Sequence, residues 1–265
     1  MLEALKLFFL AVLQGVTEFL PVSSSGHLAI FDKLLGLNYA GLRVEIMLHF
    51  GTLVAVVFYY WKTLFGLIRG VFTGKRESLA TAGLIIVGAV PVAVAGVLLN
   101  DWLERKYDGD IAFIGGMLII TGIVLFSLRF FPKGSDKKLT WWRALVIGIA
   151  QIAALLPGIS RSGSTIAAAR YLGLSGKNAA DFSFIVSIPL LFGATLLDLM
   201  KGEEACAEAV GNPVPGWGLL APAMVVAMIT GYLSIKWLMR AVAGTRFWYF
   251  GIYCFIAGVA AILLA

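Results

Sequence analysis

Two short stretches of this chain carry side chains whose types and spacing could do phosphate chemistry. In the first, Glu18 precedes Pro21, then Ser23, Ser24 and Ser25, then Gly26 and His27. In the second, Pro157-Gly158 precedes Ser160, Arg161, Ser162, Gly163, Ser164 and Thr165. Together they supply a hydroxyl that can attack phosphorus, a carboxylate and an imidazole that can manage its proton, and a guanidinium whose fork matches phosphate oxygens. Both stretches interrupt apolar sequence. Ionisable groups inside apolar runs are costly in lipid, so such clusters read as functional sites.

Each residue has a role in this reading. Ser24 is the candidate nucleophile, with Glu18 and His27 near enough in sequence to take or return a proton. One serine of the three must cap the new helix, and Ser25 is the expected cap; the remaining hydroxyls, Ser23 included, exceed that need. Arg161 sits at a helix start, flanked by Ser160 and Ser162. There Gly163 permits close backbone approach and the free N–H groups form an anion site. Gln14 and Glu18 are four apart and share a helix face. Two side-chain oxygens there suit a hard divalent cation, Mg²⁺ or Ca²⁺, completed by phosphate oxygens and water. His49, alone among Met47, Leu48 and Phe50, reads as structural.

These groups must be positioned by helices in a membrane. Hydrophobic residues make up 60% of the 265 and charged residues 14%. Six apolar runs read as spans, Ile46–Trp61, Ser78–Asn100, Ile111–Leu128, Phe182–Leu197, Ala209–Ile235 and Phe247–Ala265. Two more apolar stretches, Leu7–Gly26 and Ala144–Ser160, are broken by proline and read as re-entrant helix–loop–helix elements, which membrane depth tolerates where they line a cavity. The expected fold class is therefore an all-α integral membrane protein of one domain, residues 1–265. Its halves, 1–132 and 133–265, each hold one re-entrant element and three spans, which makes the second half an inverted copy. Pro21 aligns with Pro157, and Gly115 and Gly122 match Gly251 and Gly258 at equal spacing. Inverted repeats with broken helices place their site near the midplane.

The formal charge of +6 does not point to nucleic acid, because the basic residues fall in short loops where they set orientation. Lys62–Arg76 holds four Lys or Arg, Arg129–Arg143 five, and Lys236–Arg246 three with no acid. Asp101–Asp110 and Asp198–Gly216 hold four acids each. The basic loops are expected in the cytoplasm, the acidic loops and both termini outside. Cys206 in an exterior loop and Cys254 in the last span are not expected to meet. The N-terminal stretch lacks an A-x-A-like site and carries Glu18, so a cleaved signal peptide is not expected.

At Gln14…Glu18, Pro21-Val22-Ser23-Ser24-Ser25-Gly26-His27 and Pro157-Gly158-Ile159-Ser160-Arg161-Ser162-Gly163-Ser164-Thr165, the chain resembles the undecaprenyl-pyrophosphate phosphatase family of the bacitracin-resistance type. The resemblance covers nearly the whole chain. It implies a bacterial inner-membrane enzyme with interdigitated inverted repeats, a divalent-cation requirement and a site open to the exterior leaflet. The implied reaction is hydrolysis of the C55 polyprenyl pyrophosphate lipid to the monophosphate carrier of cell-wall synthesis. By position, Glu18, Ser24, His27 and Arg161 are the implied catalytic core. Ser23, Ser160, Ser162, Gly163 and Thr165 are the implied substrate contacts. Gln14 stands where many members have a second Glu. A homodimer stays open.

Two rival readings differ in what they require. A secondary transporter or lipid flippase also uses inverted repeats and broken helices but needs no nucleophile. The other large family of membrane lipid phosphatases shares Ser25-Gly26-His27 and Ser160-Arg161 but needs a histidine after the arginine, and this chain has none beyond His49.

Overall fold

The structure, a computed structural model, describes residues 2–36, 42–107, 110–131, 136–200, 215–243 and 247–265. Among them there is no strand. The helices are α1 (Leu2–Phe19), α2 (Ser24–Leu35), α3 (Leu42–Tyr59), α4 (Trp61–Phe72), α5 (Arg76–Tyr107) and α6 (Ile111–Ser127). After them come α7 (Trp141–Ile152), α8 (Arg161–Tyr171), α9 (Gly176–Met200), α10 (Trp217–Ala243) and α11 (Tyr249–Leu264).

Four segments are long and apolar enough to cross a bilayer: Arg76–Leu99, Ile111–Phe130, Gly176–Leu197 and Trp217–Val242. They coincide with four of the six expected spans. The early residues of the expected span Ala209–Ile235 and Cys206 lie outside the described residues, as do the boundary at Pro132 and parts of the expected loops, including Asp108 and Arg246. Cys254 is buried. The expected span Phe247–Ala265 is the 16-residue α11, shorter than any of these four.

The expected span Ile46–Trp61 falls on a bent helix pair that is long and apolar enough to cross only as a unit. Its helix ends at Tyr59, the chain bends by 74°, and Trp61 opens α4. The segment expected as a basic loop, Lys62–Arg76, is therefore mostly helix. Trp61, Phe65, Ile68 and Phe72 are all exposed and recur at helical spacing, with Lys62 and Arg69 among them. The helix is amphipathic, with its apolar stripe and basic flanks both exposed. A linear scan of hydropathy misses it because the apolar period continues through the charged residues.

Both proline-broken segments are helix–break–helix units. The first turns at Leu20–Ser23, where Ser23 takes φ 67°, a left-handed conformation uncommon outside glycine. The second passes through a short 3₁₀ turn, Ala153–Leu155, and breaks before α8, with Gly158 at φ 97°. A Cβ on Gly158 would stand 2.5 Å from the Ile114 carbonyl, so only glycine lets this break press against α6. The breaks free backbone groups that lipid cannot satisfy, and neighbours supply the partners. Thr121 Oγ1 of α6 donates to Gly158 O at 3.0 Å and accepts from Ser160 N at 3.2 Å. Ser162 Oγ of the second unit donates to Leu20 O of the first at 3.0 Å.

The long-range packing crosses between the halves. Helix α1 packs on α10, α7 on α5, α3 on α9, and α6 on α11. Close approach needs small residues at the crossings. A Cβ on Gly15 of α1 would reach 2.6 Å from Ala227 O of α10, and one on Gly148 of α7 would reach 2.4 Å from Gly88 O of α5. In the α6–α11 pair, Gly115 meets Gly258 and Gly122 meets Gly251, each backbone resting on the other's carbonyl.

Candidate active site

Glu18 lies on the last turn of α1 and is 6% exposed. Its carboxylate gathers groups from four helices. Ser24 Oγ donates to Oε2 at 2.6 Å, and Gln14 Nε2 donates to the same oxygen at 3.0 Å. Arg161 Nη2 pairs with Oε1 at 2.6 Å. His49 Nε2 of α3 stands 3.7 Å from Oε2.

Local structure explains the convergence. Gln14 and Glu18 are one turn apart on the buried face of α1. Ser24 and Arg161 are the first residues of α2 and α8. The helix starts are set by serine caps: Ser23 Oγ accepts from Gly26 N at 3.3 Å, and Ser160 Oγ accepts from Gly163 N at 3.0 Å. The cap of α2 is thus Ser23 and not Ser25, because the helix begins two residues earlier than the expectation placed it. Ser25 Oγ lies 3.4 Å from Ser23 Oγ.

The structure brings Glu18, Ser24 and Arg161 into direct contact. His27 is close in sequence but turned elsewhere. Its Nδ1 is 2.8 Å from Ser23 O, an acceptor only, so Nδ1 carries hydrogen. Its Nε2 therefore accepts from Tyr253 Oη, also at 2.8 Å. The two rings stack, 9° from parallel, with centroids 5.6 Å apart. Both ring nitrogens are engaged, and the Ser24 hydroxyl goes to Glu18. The expected sharing of the Ser24 proton between Glu18 and His27 resolves to Glu18 in this state.

The implied substrate contacts are bonded within the protein. Ser160 and Ser162 are each 1% exposed, with their hydroxyls 3.2 Å apart. Thr165 Oγ1 donates to Arg161 O at 2.9 Å and lies 2.6 Å from Ser183 Oγ. The Gly163 N–H serves the Ser160 cap. Ser23, Ser160, Ser162, Gly163 and Thr165 thus fasten the two breaks, because buried hydroxyls beside interrupted helices must satisfy backbone before they can reach a ligand.

Two buried polar atoms next to Glu18 have no partner, Arg161 Nη1 and Gln14 Oε1. An unpaired buried donor costs about 1–3 kcal/mol, which a bound phosphate oxygen would recover. Gln14 Oε1 beside the Glu18 carboxylate is a fitting pair of oxygen donors for a cation. Among the described residues no group of three or more His, Cys, Asp or Glu side chains could hold a metal, so phosphate and water would have to complete the shell.

Sequence reasoning missed His49 and Tyr253. Tyr253 is 226 residues from His27 in the last helix, with no local signal to join them. His49, read as structural, is corrected to a neighbour of Glu18; a lone histidine on an apolar face shows its partner only once α3 is packed against α1.

Residues 7–260 match the family model described as "Bacitracin resistance protein BacA". The chain belongs to the BacA family. The BacA-family relatives to which it is similar are named for their activity. An "Undecaprenyl-diphosphatase" of Halothermothrix orenii is 36% identical over 266 residues, spanning 100% of this chain and 99% of that one. One of Methanosphaera stadtmanae is 38% identical over 283 residues, with 100% and 99% covered. A third, of Christiangramia forsetii, is 36% identical over 260 residues, with 97% and 96% covered. BacA membership and the four spanning segments make this a multi-pass membrane protein.

Proposed function

We propose that this BacA-family chain is a membrane phosphatase that hydrolyses undecaprenyl pyrophosphate to undecaprenyl phosphate and inorganic phosphate. The observation that carries it is the Glu18 carboxylate, bonded on one oxygen by a hydroxyl from the first break and on the other by a guanidinium from the second. A transporter needs neither bond.

The chemistry follows from the geometry. Ser24 Oγ already donates to Glu18 Oε2, so the carboxylate is placed to receive its proton as Oγ attacks the terminal phosphorus. The Oγ–P bond forms, the P–O–P anhydride breaks, and undecaprenyl phosphate leaves; water then cleaves the phosphoserine and the proton returns to Oγ. Arg161 Nη1, without a partner in the protein, is the donor left for the phosphate oxygens, where charge accumulates in the transition state. Nη2 stays paired with Glu18 Oε1, which leaves Oε2 to Ser24. A Mg²⁺ or Ca²⁺ held by Glu18 and Gln14 would supply charge neutralisation for the pyrophosphate.

The same reading includes one domain, 1–265, built as an inverted repeat in the bacterial inner membrane, with the site open to the exterior. The crossed packing of α1 on α10 and α7 on α5 and the matched serine caps support the repeat. The Lys/Arg asymmetry of the loops supports the orientation. Phosphate release from undecaprenyl pyrophosphate by detergent-purified protein tests the activity. Release that stops with EDTA and returns with Mg²⁺ is the expected result, and no release under any cation would return the chain to the transporter reading.

A further inference from the structure

The His49 imidazole faces the Glu18 carboxylate in a way that a cation would explain. Its Nδ1 is 2.9 Å from Glu45 O, one turn earlier on α3. A backbone carbonyl only accepts, so Nδ1 carries the hydrogen and, in the neutral ring, Nε2 carries the lone pair. That lone pair stands 3.7 Å from Glu18 Oε2, itself an acceptor. Two acceptors that face each other at this distance repel unless something positive lies between them, either a second proton on the ring or a metal ion, and nitrogen hyperfine coupling tells the two apart. A first-row ion bonded to imidazole and carboxylate at about 2.0–2.2 Å fits between donors set 3.7 Å apart. A histidine that ligates metal commonly donates its other N–H to a backbone carbonyl, which fixes its tautomer and orientation; His49 has that bond. The third donor is Gln14 Oε1, fully buried, without a partner, on an amide whose nitrogen already touches Glu18 Oε2. A half-turn of that amide exchanges its two atoms and brings the orphan oxygen to the same point.

We infer that His49 Nε2 is a ligand, with Glu18 and Gln14, of the divalent cation of this site, and that it gives the site a preference for first-row transition ions over Mg²⁺ and Ca²⁺. The inference rests on the phosphatase reading for the presence of a cation and goes beyond it in the donor set. An oxygen-only shell suits hard ions, whereas an imidazole raises affinity along the transition series. His27, with both nitrogens engaged, is the built-in comparison.

Mn²⁺ on the detergent-purified full chain is the probe, read by the nitrogen hyperfine coupling of a directly bonded imidazole. Wild-type protein and His27→Gln should show the coupling. His49→Gln should lose it and bind Mn²⁺ at least tenfold more weakly, while its Mg²⁺ affinity changes less than threefold. The wild-type spectrum needs no substitution, and matching melting temperatures keep the variants comparable. No nitrogen coupling in wild type, coupling that survives His49→Gln, or failure of Mn²⁺ to bind would each overturn the inference. Phosphate release in the same samples separates the two readings. Release that persists while Mn²⁺ shows no nitrogen removes His49 from the shell and leaves the phosphatase standing. His49 coupling without release under any cation does the reverse.

Discussion

Ser24 and Arg161 hold the same place in two different helices and meet at one carboxylate. Each is the residue after a serine cap, the first of its helix, and each bonds a different oxygen of Glu18 at 2.6 Å. In the proposed mechanism the two equivalent positions carry different chemistry, a nucleophile at Ser24 and a fixed charge at Arg161.

Removal of either should stop turnover for different reasons. Ser24→Ala should abolish phosphate release while substrate binding and melting temperature hold. Arg161→Lys should be nearly as damaging as Arg161→Ala, because one guanidinium nitrogen is committed to Glu18 and a second must reach phosphate, which a single ammonium cannot do. The loss in rate should be on the order of 10²–10⁵. Single-turnover kinetics check this; near-normal turnover by Ser24→Ala would transfer the attack to water.

Tyr253→Phe tests the bond that Tyr253 Oη makes to His27 Nε2. The ring stack can persist without the hydroxyl, so the fold should hold, but Nε2 loses its donor and the imidazole its anchor. A hydrogen bond of this kind contributes about 0.5–1.5 kcal/mol, so stability in detergent should fall by about that much while kcat and KM change little. A large loss of kcat at unchanged stability would give His27 a part in turnover that the geometry does not show.

Adjacent glycines in α6 give a paired stability test. A Cβ on Gly115 would lie 2.7 Å from Gly258 O, whereas one on Gly116 meets nothing within 4 Å. Gly115→Ala should push α11 away and lower the melting temperature in detergent. Gly116→Ala should raise stability by about 0.5–1 kcal/mol through the helix preference of alanine. Equal effects at both positions would show that the α6–α11 crossing is not close-packed in solution.

Orientation is checked by cysteine labelling in a background without native cysteines. Lys137→Cys should react only with reagent supplied from the cytoplasm and Asp110→Cys only from outside. The reverse pattern would invert the molecule and turn the site to the cytoplasm.

Local chemistry was legible in the sequence wherever one turn of chain contained it. The Gln14–Glu18 pair and the two proline-broken serine clusters needed no tertiary knowledge. The two breaks match to within one residue: alignment on Pro21 and Pro157 sets Ser24 opposite Ser160, yet the helix starts set it opposite Arg161. The second break carries one extra residue, and Gly158 at φ 97° absorbs it. Linear hydropathy concealed α4, since a bend of 74° leaves no mark on composition. His49 and Tyr253 were illegible because their partners lie on other helices and only packing brings them together.

The seating of α1 against α10 has a consequence for synthesis. Gly15 finds its counterpart at Ala227, more than two hundred residues later. At about 5–20 residues per second, the ribosome needs roughly 10–40 s to deliver that partner. Until then Glu18 and Gln14 sit in a helix that lacks its α10 seat, in a bilayer hostile to both. The nascent first half must therefore wait in a protected place, beside the insertion machinery or at the headgroup level. The helix that carries Glu18 reaches its final seat only when the chain is almost finished, so a translation product interrupted before α10 should lack the packing that holds the site together.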